Sequence, residues 1–185
     1  TNMLKKLAEM KLVRHAPYQG VTLTAAGRKV ALEVIRHHRL IELYLAEALG
    51  VPWDRVHEEA EKWEHVLSED LEDRIDEKLG YPNRDPHGAP IPRRAGEVQA
   101  STAVALDELA PGQAAVVTQV SDHDPELLRY FAELGLTPQA RVRVLEAAPF
   151  NGPLTLRVAG KTHAVGREAA KQVQVTQVED AAGVA

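Results

Sequence analysis

The first 49 residues show the spacings of a helix, a β-hairpin and a second, long helix. Residues 2–11 place apolar side chains at helical spacing, with lysines between them. Residues 12–24 favour two short strands around a turn at Pro17–Gly20. Thr24 is a suitable N-cap for a helix over residues 25–49. This order predicts the second half of a winged helix, in which the helix before the hairpin enters the major groove of DNA.

A second helical region follows and leads into a segment rich in turns. Gly50 ends the long helix, and the pattern over residues 55–80 predicts one further helix that ends at Gly80. Residues 81–96 are rich in proline and glycine, which favours turns over regular structure. Because a short loop joins the two helices, we expect them to lie antiparallel and to face one another.

The pattern changes after Ser101 to short runs of β-branched residues, which are typical of strands. One helix is predicted around residues 124–136, ended by Gly135, and Asn151–Gly152 marks a tight turn. Several short strands with one short helix among them predict a small β-barrel.

Composition excludes several classes of protein. Of the 185 residues, 44% are hydrophobic and 26% are charged, which is ordinary for a globular protein. No apolar run approaches the roughly 20 residues that span a bilayer, and no signal peptide is indicated, so we expect a cytoplasmic protein without membrane contact. The lack of cysteine excludes disulfide scaffolds, thiol catalysis and cysteine zinc sites. Because Thr1 stands within an element, we also expect that an N-terminal piece has been lost.

Charge is segregated along the chain, although its net value is only −5. Residues 1–40 contain eight basic and two acidic residues, whereas residues 41–80 contain four basic and thirteen acidic residues. This contrast indicates a polyanion as one partner and a cation as another. Two solvated helix faces would give the same pattern, so charge alone leaves both interpretations open.

The sharpest chemical signal is a set of histidines and carboxylates at helical spacing. Four of them lie at i, i+4, i+7 and i+8 on a stripe about 100° wide, and an i, i+4 pair precedes them on the long helix. The pair is His38 and Glu42, and the four are His57, Glu61, Glu64 and His65. Imidazole and carboxylate together suit Mn²⁺ and Fe²⁺. The spacing is not that of zinc proteases or di-iron bundles, and a solvated acidic face is the competing interpretation.

Three motifs around these residues resemble the diphtheria-toxin-repressor family of metal-dependent transcriptional regulators. They are H-R-L-x-E at 38–42, V-H-E-E-A-x-x-x-E-H at 56–65 and D-P-H-G-x-P-I-P at 85–92. The resemblance extends over about residues 1–178. It implies a mainly α N-terminal part, made of a partial winged helix-turn-helix and a helical dimerisation domain, and a C-terminal SH3-like small β-barrel. The predicted parts are a partial winged-helix DNA-binding domain (1–36), a helical metal-binding and dimerisation domain (37–95), a linker (96–100) and the barrel (101–180).

The resemblance also implies metal sites. Glu61, Glu64 and His65 match the primary, activating site, and His38, Glu42 and His57 match a neighbouring ancillary site. In manganese-sensing members the residue matching His38 joins the paired glutamates, so the division between the two sites stays open. Iron-sensing members have Cys where this chain has Glu61, so the carboxylate indicates the manganese-responsive type, with Mn(II) expected and Fe(II) as the alternative. In the family an N-terminal ligand completes the primary site, and we expect that this chain lacks it.

In relatives that have the barrel, this domain can donate oxygen ligands to the ancillary site. The matching stretch here is V-S-D-H-D-P-E-L-L, in which Asp124 is the first candidate, followed by Glu126 and His123. An acidic loop that caps the predicted helix would explain the same residues equally well.

Ten residues are expected to contact DNA from the recognition helix, the wing and the start of the long helix. They are Thr1, Asn2, Lys5, Lys6, Arg14, His15, Tyr18, Gln19, Thr24 and Arg28. The lysines would hold phosphates, and Asn2 would read adenine or contact a phosphate. A solvated surface position is the alternative for each of them.

The sequence thus favours a metal-activated regulator of metal-homeostasis genes. It would bind a palindromic operator in double-stranded DNA as a homodimer, and it would not be an enzyme. Ser68, Ser101 and Ser121 have no motif that would make one of them a nucleophile. A dinuclear-metal hydrolase or oxidase and a metal-handling interaction module are the alternatives, and the basic first helix and hairpin argue against both.

Overall fold

The structure, a computed structural model, describes residues 2–16, 20–98 and 100–178. Thr1, Tyr18 and Gln19, three of the predicted DNA contacts, lie outside these ranges. Within the ranges, no helix is both long and apolar enough to cross a membrane.

The N-terminal part has the predicted order of helix, hairpin and helix. Its elements are α1 (Asn2–Glu9), the antiparallel strands β1 (Val13–Ala16) and β2 (Gly20–Leu23), and α2 (Ala25–Leu49). Thr24 begins α2, because its side-chain oxygen accepts a hydrogen bond from the backbone N–H of Gly27. The same hydroxyl donates to the carbonyl oxygen of Lys11 at 2.7 Å. Thr24 therefore joins the start of α2 to the turn after α1.

The prediction of a single helix over residues 55–80 was wrong, because two helices occupy this stretch. They are α3 (Val56–Trp63) and α4 (Glu69–Lys78). Ser68 begins α4, since its side-chain oxygen accepts a hydrogen bond from the backbone N–H of Leu71. Charged and apolar residues continue at helical spacing through residues 64–68, so the sequence pattern does not show that the helix is interrupted there. The new helix begins at the N-cap Ser68.

Two apolar clusters attach the shorter helices to α2. In one cluster Leu40 of α2 packs with Ile75 of α4. In the other, Ile41 of α2 packs with Val56 and Ala60 of α3. α2 runs without a break through the boundary predicted between residues 36 and 37, so the division into domains stays a prediction.

Residues 104–178 form the C-terminal sheet domain, an antiparallel sheet with the strand order β3-β8-β4-β5-β6-β7. Its elements are β3 (Val104–Ala105), β4 (Ala114–Val120), α5 (Pro125–Leu134), β5 (Arg141–Ala147), β6 (Leu154–Val158), β7 (Lys161–Val165), α6 (Arg167–Ala170) and β8 (Val173–Val178). The predicted helix is α5, and Gly135 ends it. The four-residue α6 and a 3₁₀ turn at Leu106–Glu108 were not predicted, because such short elements leave no periodicity in the sequence.

The 84–92 segment, which contains the D-P-H-G motif, attaches the sheet domain to the helices. The carbonyl oxygen of His87 accepts a hydrogen bond from the backbone N–H of Val120, the last residue of β4, at 2.9 Å. Gly88 lies so close to β4 that a Cβ atom there would be 2.1 Å from the carbonyl oxygen of Thr118. This close approach places the end of β4, and the loop that follows it, beside His87.

Two arginines of α2, one turn apart, hold the same segment from the other side. Arg36 donates to the carbonyl oxygen of Pro92 at 2.9 Å, and Arg39 donates to that of Pro90 at 2.5 Å. The 84–92 segment is therefore fixed between α2 and the sheet domain.

Candidate metal centre

His38, Glu42 and His57 form a first cluster between α2 and α3. His38 and Glu42 are one turn apart on α2, and Nε2 of His38 lies 3.0 Å from Oε1 of Glu42. Nδ1 of His57, from α3, lies 3.0 Å from Nε2 of His38 and 3.1 Å from the same Glu42 oxygen. The pairing of α2 with α3 therefore brings the two predicted sets of residues together.

The other predicted ligands on α3 and after it lie at the outer edge of this cluster. Oε2 of Glu64 is 2.6 Å from Nδ1 of His38. Oε1 of Glu61 is 3.9 Å from Nε2 of His57, and the Glu61 side chain is exposed. Nε2 of His65 is 3.3 Å from Oε1 of Glu64, and the His65 ring is also exposed. Glu64 thus joins the first cluster, whereas Glu61 and His65 border it from the solvent side.

A second cluster, which the sequence analysis missed, extends from Glu42 into the protein. It contains Glu42, Asp85, His87 and Asp122, and one ligand atom of each lies within 4.8 Å of the others. Three of these residues are buried, and Asp122 is half-buried. Glu42 comes from α2, Asp85 and His87 from the 84–92 segment, and Asp122 from the loop after β4. Three separate parts of the chain therefore converge on one small volume.

Each buried residue of the second cluster has one polar atom without a hydrogen-bond partner among the described residues. These atoms are Oε2 of Glu42, Oδ2 of Asp85 and Nδ1 of His87. Buried polar groups are normally paired, so three atoms without hydrogen-bond partners at one place favour a bound cation. Two carboxylates, an imidazole and a third carboxylate at the edge form a donor set that fits Mn²⁺ or Fe²⁺.

The remaining polar atoms of Asp85 and His87 are held by the protein itself. Oδ1 of Asp85 accepts hydrogen bonds from the backbone N–H groups of His87 and Ala89, both at 2.9 Å. Nε2 of His87 lies 2.7 Å from the carbonyl oxygen of Trp53, whose indole stacks on the imidazole. Partners of this kind orient metal ligands and fix the tautomer of a histidine.

The pKa values of two groups reflect the crowding of charges at the centre. Burial and the negative charge of Glu42 raise the pKa of Asp85 to about 6. Burial works to lower the pKa of His38, but hydrogen bonds and electrostatic attraction from Glu42 and Glu64 outweigh it and raise this pKa to about 9. His38 therefore holds a proton at neutral pH, and Asp85 holds one below about pH 6; a bound metal ion would displace either proton.

The sheet domain contributes Asp122 to the second cluster, and not one of the predicted residues Asp124, Glu126 and His123. Asp124 caps α5, since its side chain accepts hydrogen bonds from the backbone N–H groups of Glu126 and Leu127. The side chains of Asp124 and Glu126 are exposed. His123 is exposed too, with its ring 6.3 Å from that of His57. Asp122 instead lines the cleft beside His38 and His57, because the pairing of β4 with the 84–92 segment places it there.

The described residues among the predicted DNA contacts lie on the surface, with one exception. Asn2, Lys5, Lys6, Arg14, His15 and Arg28 are exposed. The hydroxyl of Thr24 is engaged as the cap of α2 and as a donor to Lys11, so the structure gives this residue a structural role.

Comparisons with known proteins show which families and proteins this chain is similar to. The family model of the iron-dependent repressor metal-binding and dimerisation domain matches residues 24–93, and the FeoA domain model matches residues 104–177. The iron-dependent repressor IdeR of Mycobacterium tuberculosis is 38% identical over 181 residues, which cover 90% of this chain and 77% of that protein. The diphtheria toxin repressor of Corynebacterium diphtheriae is 41% identical over 81 residues, 44% of this chain and 36% of that protein.

Solved structures give the same result. A manganese-dependent transcriptional repressor in complex with manganese superimposes with a TM-score of 0.90 at 43% identity, over 96% of this chain and 82% of that one. The manganese regulator SloR superimposes with a TM-score of 0.80 at 31% identity, over 96% and 82% of the two chains. These relatives are transcriptional repressors, and together with the fold they define the chain as a metal-dependent transcriptional regulator. The chain belongs to the diphtheria-toxin-repressor family of such regulators.

Proposed function

We propose that Mn²⁺ binds where Glu42, Asp85, His87 and Asp122 meet. The observation that carries this proposal is that three of these residues each have a buried polar atom without a hydrogen-bond partner among the described residues. One ligand atom from each of the four residues lies within 4.8 Å of the others. A second ion would bind on the other side of Glu42, between His38 and His57, with Glu64, Glu61 and His65 as the outer ligands. Glu42 would then serve both ions, with one carboxylate oxygen facing each cluster.

We favour Mn²⁺ over Fe²⁺ as the activating metal. All the candidate ligands are carboxylates and imidazoles, and the chain contains no cysteine that would supply a softer ligand. The relatives named above include both an iron-dependent and a manganese-dependent repressor, so the family alone leaves the metal open. Loading of the purified protein with each metal under anaerobic conditions would compare the two affinities directly.

The proposed effect of the metal on DNA binding follows from α2, which reaches both sites. Its first turn is joined to α1 and the hairpin through Thr24, and Glu42 lies further along the same helix. An ion that ties Glu42 to Asp122 would fix α2 relative to the sheet domain. The helix α1 and the wing would then be held in one position, which favours the DNA-binding population.

α1 and the hairpin would contact DNA as a winged helix, with two copies of the chain on a palindromic operator. The exposed Lys5 and Lys6 on α1, and Arg14 on β1, supply positive charge for phosphate contacts. A two-fold symmetric dimer would place the two α1 helices one helical turn of DNA apart. We further propose that the protein represses metal-homeostasis genes and works in the cytoplasm, where its DNA target would be.

Binding of the protein to a labelled promoter fragment, with Mn²⁺ or with EDTA, tests this proposal. Fluorescence anisotropy should show binding with Mn²⁺ that is lost in EDTA. The Glu42→Gln variant should lose the response to Mn²⁺, whereas Glu47→Gln, which changes an exposed carboxylate on the same helix, should keep it. Metal binding with no change in DNA affinity would contradict the proposal and favour a metal-handling module.

A further inference from the structure

We infer that Arg39 competes with the metal ion for Asp85 and thereby sets the metal concentration at which the protein loads. This inference rests on the metal site proposed above, and it assigns a regulatory role to a residue that is not a ligand. Arg39 is the neighbour of His38 on α2, and its side chain lines the same cleft as His38, His57 and Asp122.

The geometry aims the charge of Arg39 at one particular oxygen. Nε of Arg39 lies 3.5 Å from Oδ2 of Asp85, while its Nη1 donates to the carbonyl oxygen of Pro90 at 2.5 Å. Oδ1 of Asp85 is already held by two backbone N–H groups. Oδ2 is therefore the oxygen that both Arg39 and a metal ion would use.

The contact between Arg39 and Oδ2 is electrostatic attraction and not a hydrogen bond. Its distance of 3.5 Å exceeds the usual range for an N–H···O bond, and Oδ2 has no hydrogen-bond partner among the described residues. Arg39 thus offsets part of the buried negative charge without occupying the lone pairs of the oxygen. Because a guanidinium group does not lose its proton in proteins, this positive charge is present at every physiological pH.

An ion bound to Oδ2 would lie within a few ångströms of the guanidinium and would be repelled by it. The carboxylate of Asp85 is fully buried, and the Arg39 side chain is only 25% exposed, so water screens this repulsion poorly. We expect that removal of the positive charge increases the affinity for Mn²⁺ by about tenfold. This increase corresponds to a small part of the repulsion that two unscreened charges would have at this distance. The same substitution should destabilise the metal-free protein, since it removes the guanidinium that lies beside the buried Asp85 carboxylate.

The test compares two variants of the full chain. In Arg39→Gln the charge is lost but an N–H donor for Pro90 is kept, and in Arg39→Lys the charge is kept. Arg74→Gln, which removes an exposed arginine paired with Asp70 on α4, is the matched control. Mn²⁺ affinity is measured by isothermal titration calorimetry after chelation, and thermal unfolding is followed in EDTA and with Mn²⁺.

The inference expects opposite changes in the two measurements for Arg39→Gln. Its Mn²⁺ affinity should rise about tenfold while its unfolding temperature in EDTA falls, and Arg39→Lys and Arg74→Gln should stay within about threefold of the wild-type affinity. A residue with only a structural role would lower both quantities. Equal or weaker Mn²⁺ binding by Arg39→Gln would overturn the inference.

Two further outcomes are also decisive. If Arg39→Gln is unfolded in EDTA but folds when Mn²⁺ is added, the metal ion replaces the missing positive charge, which supports the inference. If Arg39→Gln does not fold in either condition, the inference is wrong. The wild type and Glu42→Gln separate this inference from the proposed function. If the wild type binds Mn²⁺, Glu42→Gln does not, and Arg39→Gln binds it as tightly as the wild type, only the inference about Arg39 is wrong. If the wild type does not bind Mn²⁺, both the inference and the proposed function are wrong.

Discussion

Nε2 of His87 donates a hydrogen bond of 2.7 Å to the carbonyl oxygen of Trp53. A carbonyl oxygen can only accept, so this nitrogen carries the proton, and Nδ1 of a neutral ring has its lone pair free. Nδ1 lies 3.9 Å from Oε2 of Glu42, another atom without a hydrogen-bond partner in the described part of the chain. The loop between α2 and α3 thus prepares His87 to act as a ligand on the side that faces Glu42.

Replacement of His87 should weaken metal binding strongly. In His87→Gln the imidazole lone pair is lost, and we expect Mn²⁺ affinity to fall by about 10–100-fold. Calorimetric titration measures the change, and unfolding in EDTA reports any loss of stability from the altered contact with Trp53. His163→Gln, on β7 of the sheet domain, is the control and should bind Mn²⁺ like the wild type. Unchanged affinity in a folded His87→Gln protein would remove His87 from the site.

Trp53 should report metal binding through its fluorescence. Its indole stacks on His87 with 5.6 Å between ring centroids, whereas Trp63, the other tryptophan, lies on α3 with 41% of its surface exposed. Addition of Mn²⁺ should change the emission of the wild type and of Trp63→Phe, and the change should be absent from Trp53→Phe. A metal-dependent signal that follows Trp63 instead would place the ion elsewhere.

The stability of the metal-free protein should fall as the pH rises. The folded-state pKa of His38 is raised to about 9, so its contribution is complete below about 6.5 and is lost as the pH rises through 9. The pKa of Asp85 is raised to about 6, so its ionisation destabilises the fold between about pH 4 and 6. Thermal unfolding in EDTA should therefore show a lower midpoint at pH 9 than at pH 6.5.

The affinity for Mn²⁺ should change with pH in the opposite direction to the stability of the metal-free protein, because the protons that stabilise the empty site compete with the metal ion. Affinity for Mn²⁺ should increase from pH 6 to pH 8, as ligation requires deprotonated His38 and Asp85. Metal affinity that does not change over this range would show that neither group binds the ion. His38→Gln should flatten the fall in metal-free stability above pH 6.5, since the group that titrates there is gone.

A methyl group at position 88 should separate the 84–92 segment from the sheet domain. The Cβ of Gly88→Ala would lie 2.1 Å from the carbonyl oxygen of Thr118, and its φ of +88° is unfavourable for alanine. We expect a loss of about 3 kcal/mol or more, together with weaker Mn²⁺ binding. Gly160→Ala is the control for backbone strain, because its φ is +79° and nothing lies within 4 Å of the added atom.

Gly160→Ala should lose only about 1–2 kcal/mol and should keep the affinity for Mn²⁺. Chemical unfolding and calorimetric titration of both variants provide the comparison. If Gly88→Ala bound Mn²⁺ as tightly as Gly160→Ala, the attachment of the sheet domain would be unimportant for the site.

The sequence by itself determined the elements whose signals are local. A helical spacing of His and Glu placed His38 with Glu42 and His57 with Glu61 on helix faces, and the short loop at Gly50 predicted that the faces would meet. The runs of β-branched residues predicted the C-terminal strands, and Gly135 predicted the end of α5. The break at Ser68 was missed, because a cap can interrupt a pattern that otherwise continues.

Only the tertiary structure decided which distant residues complete the site. Asp85 and His87 stand in an irregular segment, where no periodicity indicates the direction of a side chain, although the D-P-H-G motif itself was recognised. Asp122 and Asp124 look alike in the sequence, but the backbone pairing of His87 with Val120 brings Asp122 to the cluster, and α5 takes Asp124 as its cap. Long-range pairing and burial fix these choices, because they depend on parts of the chain that are far apart in sequence.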